Sequence, residues 1–129
     1  MTAASAGLLV VVAAAAAIGA CLRFATDQLL QRRIGGMQLP WGTLTANSLG
    51  SLVLGVSTGL ALRGSLGPEL AAVIGTGLCG GYTTFSTWTY ETLRLVEDGD
   101  LFEAATNVGL NLVLGLGLAG VALITIASV

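Results

Sequence analysis

Four stretches of this chain, residues 1–22, 34–62, 70–90 and 104–129, contain no Asp, Glu, Lys or Arg. Each can hold the roughly 20 apolar residues that cross a bilayer. A soluble domain spreads charge along its length, roughly a quarter of its residues. Here 9% of the 129 residues are charged, 54% are hydrophobic, and there is no histidine or lysine. The pattern predicts an all-α, multi-pass protein of the cell (inner or plasma) membrane. Its four transmembrane helices are expected over about 7–31, 41–62, 69–94 and 103–127, in one domain covering 1–129. The first run has no basic region before it and no cleavage site after it, so it is expected to be a retained span. Cys21 and Cys79 both fall within spans, where reduced thiols are the default. A net charge of −2 with five scattered arginines leaves no basic patch for nucleic acid.

The third span is the irregular one. Residues 75–90 read GTGLCGGYTTFSTWTY. Gly75, Gly77, Gly80 and Gly81 weaken helical geometry, and Thr83, Thr84, Ser86, Thr87 and Thr89 follow them closely. The stretch admits two readings. One is a glycine-rich packing surface between helices. The other is a helix broken at mid-membrane, tolerated only where the freed backbone is buried in protein or lines a watery path. Such breaks build ion and substrate sites from bare carbonyls and half-helix ends.

Polar groups recur in the other spans. Thr43, Asn47 and Ser51 share one face of the second span at four-residue spacing. Asn107 and Asn111 do the same in the fourth. Each carboxamide is either an interhelical hydrogen bond worth roughly 1 kcal/mol or, for Asn47, a donor to a passing anion. Phe85 and Trp88 project from similar sides of the third span, as core or lipid-facing bulk or as ring edges that favour an anion. Arg23 and Asp27 are four apart at the end of the first span. They read as a boundary pair with Arg23 snorkelling outward, or as positive charge at a pore entrance. Glu91 and Arg94 read as a solvated terminal pair, and Gly35, Gly36 and Pro40 as a turn.

Three spans therefore bring polar faces to membrane depth, and all of those groups are neutral. A cation path or proton-coupled carrier would place a carboxylate there. Neutral donors suit an ion whose hydration shell must be replaced without trapping it. Moving a bare ion into a low-dielectric medium costs tens of kcal/mol, so the donors have to be continuous. That combination favours a narrow channel for a small anion. An enzyme is not expected, because no nucleophile–base pair or metal-ligand cluster lies in the spans.

The runs GACLRF (19–24), GTLTAN (42–47) and GGYTTFSTW (80–88) resemble the Fluc (CrcB) fluoride channels, as do the length, the four spans and the motif order. The resemblance implies a fluoride-selective channel that exports fluoride passively across the cell membrane and lowers cytoplasmic fluoride. It implies an antiparallel, dual-topology dimer with two pores and a central structural sodium ion (Na+). By that likeness Gly80 and Thr83 hold the sodium through backbone carbonyls of the broken third span. Asn47, Thr43, Phe85, Ser86, Thr87, Trp88 and Asn111 line the fluoride path, and Arg23 sits toward a vestibule. Three positions depart from the family pattern. Trp88 stands where a second phenylalanine is usual, and Asn107 and Asn111 where many relatives place a tyrosine and a serine.

The partner is either a second copy or an oppositely oriented homologue. Arg32, Arg33 and Arg94 fall in connections on one side and Arg63 on the other, a bias that favours one orientation. The competing function is a small four-helix, dual-topology drug/proton exchanger. That chemistry needs an acid embedded in the first span, where the one candidate is Asp27 at its edge.

Overall fold

The computed structural model describes residues 3–34 and 39–129, which are helical apart from short connections. Helix α1 covers Ala3–Ile34 and α2 covers Trp41–Leu62. Next come a short helix α3 (Pro68–Ala72), a π-helical segment (Val73–Cys79) and one turn of helix, α4 (Gly80–Tyr82). Helix α5 spans Phe85–Glu97 and α6 spans Leu101–Ser128. The turn expected at Gly35 and Gly36 lies outside the described residues, as do the side chains of Arg32 and Arg33.

Among the described residues, three helices are long and apolar enough to cross a membrane by length and composition: Ser5–Leu30 within α1, α2, and α6. The expected third crossing is instead assembled in pieces from α3 to α5. Its discontinuity has a local cause. Thr83 and Thr84 are extended, with ψ 158° and φ −149°. The Thr84 hydroxyl then accepts the Thr87 N–H at 3.2 Å and starts α5 as its N-cap. Threonine is suited to that role because its oxygen satisfies a donor that the first helical turn leaves orphaned. The break therefore falls on the threonines, and the glycines before it remain helical.

Those glycines serve packing. The alanine tract of α1 lies against the π-helical segment and α4, and a Cβ on Gly81 would land on the Ala16 carbonyl. In the same way Gly55 of α2 lies against the Ala119 backbone of α6. Asn47 meets Asn111, Ser51 meets Gly115 and Gly55 meets Ala119. Each pairing lies four residues further along both helices, so α2 and α6 run parallel in the most extensive contact of the fold.

Burial is inverted relative to a water-soluble protein. Leu9, Val10, Leu22, Leu116, Val121 and Ile124 are exposed, whereas Thr43, Ser57, Thr84, Asn107 and Asn111 are buried. The largest fully buried side chain among the described residues is Asn107, at 0% exposure. An apolar exterior around a polar seam is what a hydrocarbon solvent selects. Lipid supplies no hydrogen bonds, so the polar groups must find one another inside.

Candidate functional site

The site forms where α2 and α6 meet the break between α4 and α5. Asn47 on α2 acts as the stand-in for a missing turn of helix. Its Oδ1 accepts the Thr84 N–H at 2.8 Å, and its Nδ2 donates to the Thr84 carbonyl at 3.1 Å. A second Nδ2 bond goes to Asn111 Oδ1 on α6, at 2.9 Å. Asn111 in turn donates its Nδ2 to the Asn107 backbone carbonyl and to Asn107 Oδ1, both at 3.0 Å. Asn107 Nδ2 donates to Thr92 Oγ1 at 2.9 Å, which ties α6 back to α5.

Capping by Asn47 and Thr84 has a direct consequence for the backbone. In an unbroken helix the Thr84 N–H would bond the Gly80 carbonyl, and the Thr87 N–H would bond the Thr83 carbonyl. Here those two N–H groups are given to the side chains of Asn47 and Thr84. The carbonyls of Gly80 and Thr83 thus lose their helical donors, while the carbonyl of Cys79 keeps two, the N–H and hydroxyl of Thr83, each at 2.9 Å. Gly80 and Thr83 both line the groove described next.

Two openings flank the break. A groove of about 310 Å³ is lined by Asn47, Gly80, Thr83, Phe85, Trp88 and Asn111 among others. Phe85 and Trp88 meet edge to face there, with ring centroids 5.3 Å apart and planes at 70°. Phe85 is 72% exposed, and the Trp88 indole N–H is spent on the Asn107 carbonyl at 3.3 Å. A smaller pocket of about 190 Å³ is lined by Arg23, Asp27, Thr43 and Thr87. Thr84 lines both openings.

The structure thus gathers most residues singled out in the sequence. Asn47, Phe85, Trp88, Asn111, Gly80 and Thr83 share the groove, and Thr43, Thr87 and Arg23 share the pocket. Ser86 lines neither; it is exposed, with its hydroxyl 3.4 Å from that of Thr84. The expected Glu91–Arg94 pair does not form. Arg94 is exposed, donating to the Tyr90 hydroxyl at 3.1 Å and reaching Glu97 at 4.0 Å. Glu91 turns inward instead, where its Oε1 accepts the Thr43 hydroxyl at 3.0 Å and its Oε2 is buried without a partner. Thr87 and Glu91 are one turn apart, and Thr43 and Asn47 likewise, which was the available signal that Glu91 faces the polar seam. No group of three or more His, Cys, Asp or Glu placed to hold a metal ion occurs among the described residues.

The fold and the seam define a multi-pass helical membrane protein with a neutral, hydrogen-bonded break at its centre. The chain belongs to the CrcB-like family (CrcB-like protein, Camphor Resistance), whose model matches residues 10–123. It is 49% identical over 108 residues to the fluoride-specific ion channel FluC 1 of Streptomyces avermitilis, covering 84% of this chain and 86% of the relative. It is 43% identical over 113 residues to FluC 1 of Frankia casuarinae, with 84% and 87% covered. The fluoride-specific ion channel FluC 2 of Mycobacterium tuberculosis is 47% identical over 103 residues, with 79% and 77% covered.

Proposed function

We propose that this protein is a fluoride channel, not an enzyme, letting fluoride leave the cell passively down its gradient. The observation that carries the reading is the capped break. Asn47, Thr84 and Thr87 form one continuous run of neutral hydrogen-bonding groups, open to the aromatic groove on one side and to the Arg23 pocket on the other. A small anion entering from the Arg23 side would meet hydroxyls first, then the Asn47 amide, then the ring edges of Phe85 and Trp88. Each step exchanges part of its hydration shell for donors that carry no full charge. Larger, more weakly hydrated halides gain less from donors placed so closely.

Sodium fits the same break. Its preferred ligands are hard oxygens, and the Gly80 and Thr83 carbonyls are among those that the break deprives of helical donors. Those residues would hold the ion, which supplies fixed positive charge and ties together the subunits that share it. Phe85, exposed on the single chain, is the side chain that a second subunit would cover. That subunit is inserted the opposite way up, either as a second copy or as a homologue.

Ion efflux from liposomes tests the function, with the chain reconstituted alone and together with an oppositely oriented homologue. Fluoride release without chloride release from either preparation is the expected outcome. Equal leakage of both ions, or release of neither from both preparations, would overturn the reading.

A further inference from the structure

The chain contains three asparagines, at 47, 107 and 111, and all three belong to one directed line of hydrogen bonds. Its ends are groups that cannot reverse. The Thr84 N–H can only donate, and gives to Asn47 Oδ1 at 2.8 Å. The Trp88 carbonyl can only accept, and takes the Thr92 hydroxyl at 2.8 Å. Between them, Asn47 donates to Asn111, Asn111 to Asn107, and Asn107 to Thr92. With both ends pinned, the orientation of every carboxamide is dictated. Asn107 is fully buried and, like Thr92, lines neither opening.

We propose that Asn107 is a positioning residue for the anion path, a role that rests on the fluoride reading. By accepting from the Asn111 amide, it adds a second hydrogen bond to the orientation in which Asn111 presents its oxygen, not its NH₂ group, to Asn47 and the groove. An anion beside Asn47 then meets an acceptor on the facing helix. It must displace that acceptor to gain a donor, so it is held briefly and released. If the side-chain acceptor of Asn107 is removed, Asn111 is left with the Asn107 backbone carbonyl, which already receives the Trp88 indole. Turning the Asn111 amide then costs one hydrogen bond less. An anion in the groove would draw the NH₂ groups of both Asn47 and Asn111 onto itself, and would be bound more tightly and passed more slowly.

Because these are the three asparagines of the chain, ¹⁵N-asparagine labelling yields three side-chain NH₂ signals in detergent, assigned by single Asn→Leu variants. Thr92→Val, an isosteric change that touches neither Asn111 nor Asn47, is expected to shift both of their signals. In flux assays on the conducting assembly, Asn107→Leu is expected to lower the half-saturating fluoride concentration about fivefold, the equivalent of one neutral hydrogen bond, and to lower the maximal rate. Thr92→Val is expected to act in the same direction, more weakly. In an Asn111→Leu background the Asn107→Leu effect should vanish, since the two act through one contact. An Asn47 signal unmoved by Thr92→Val would overturn the proposal. So would an Asn107→Leu effect that persists undiminished without Asn111, which would mark Asn107 as packing alone. Absence of fluoride flux in the unaltered assembly would defeat the fluoride reading and leave the resonance experiment to decide the orientation claim.

Discussion

Asn47 is the residue on which the local chemistry converges, because both of its amide hydrogens and its oxygen are engaged at the break. Replacing it by aspartate removes the two donors and puts a carboxylate in the proposed anion path. Two unit charges of like sign about 4 Å apart repel by about 4 kcal/mol at an effective dielectric of about 20, about a thousandfold in occupancy. Asn47→Asp is therefore expected to abolish measurable fluoride efflux from liposomes while the protein still elutes as a folded species; undiminished efflux would remove Asn47 from the path. Thr84→Val tests the neighbouring residue. It keeps the shape and loses the hydroxyl that caps α5 and bonds Thr87 Oγ1 at 3.0 Å. A lost N-cap costs about 0.5–2 kcal/mol, so a lowered thermal midpoint in detergent is expected, and an unchanged midpoint would show that the cap is dispensable.

At the scale of elements, the glycines separate into those that a neighbouring backbone requires and those that it does not. A Cβ at Gly81 would strike the Ala16 carbonyl of α1, whereas nothing lies within 4 Å of one at Gly109 on α6. Gly81→Val should push α1 away from the broken helix and sharply lower the yield of folded protein. Gly109→Ala should stabilise α6 by about 0.5–1 kcal/mol, the conformational entropy that glycine loses in a helix. Comparable thermal midpoints for the two variants would contradict the packing described for α1. Legibility in the sequence followed the same division. Charge-free runs reveal α1, α2 and α6 directly, because lipid leaves few alternatives for an apolar run of that length. The glycine–threonine stretch of 75–90 announced irregularity but not its place, since glycine permits a break without demanding one. What placed it was the Asn47 carboxamide, 37 residues away, taking the Thr84 N–H. Long-range partners of that kind leave no periodic trace. The same limit hid the inward turn of Glu91, whose spacing from Arg94 permits a local pair but whose partner is Thr43, 48 residues away.

For the whole molecule, the open question of assembly is one of orientation. The aromatic groove is open on the single chain and Phe85 at its edge is exposed, so the proposed pore would take its second wall from another subunit. An oppositely inserted subunit would bring a second break, with its own pair of freed carbonyls, toward the first. Sodium shared between them should then stabilise the pair, and its replacement by a large organic cation is expected to shift the protein toward monomer in size-exclusion chromatography. A dimer indifferent to sodium would discount Gly80 and Thr83 as ligands. The arginines bear on which chain would supply that wall. Arg32 and Arg33 lie in the last turn of α1, Arg94 in the last turn of α5 and Arg63 just after α2, and basic residues hold the adjoining connections on the cytoplasmic side. On the proposed reading, such a bias would insert this chain one way, with both termini outside, and the expected partner would then be an oppositely oriented homologue. Reporters fused to the C-terminus check it in cells: alkaline phosphatase should be active and a cytoplasmic fluorescent protein dark. Activity of both fusions would mean that the chain inserts in both directions and pairs with its own copy.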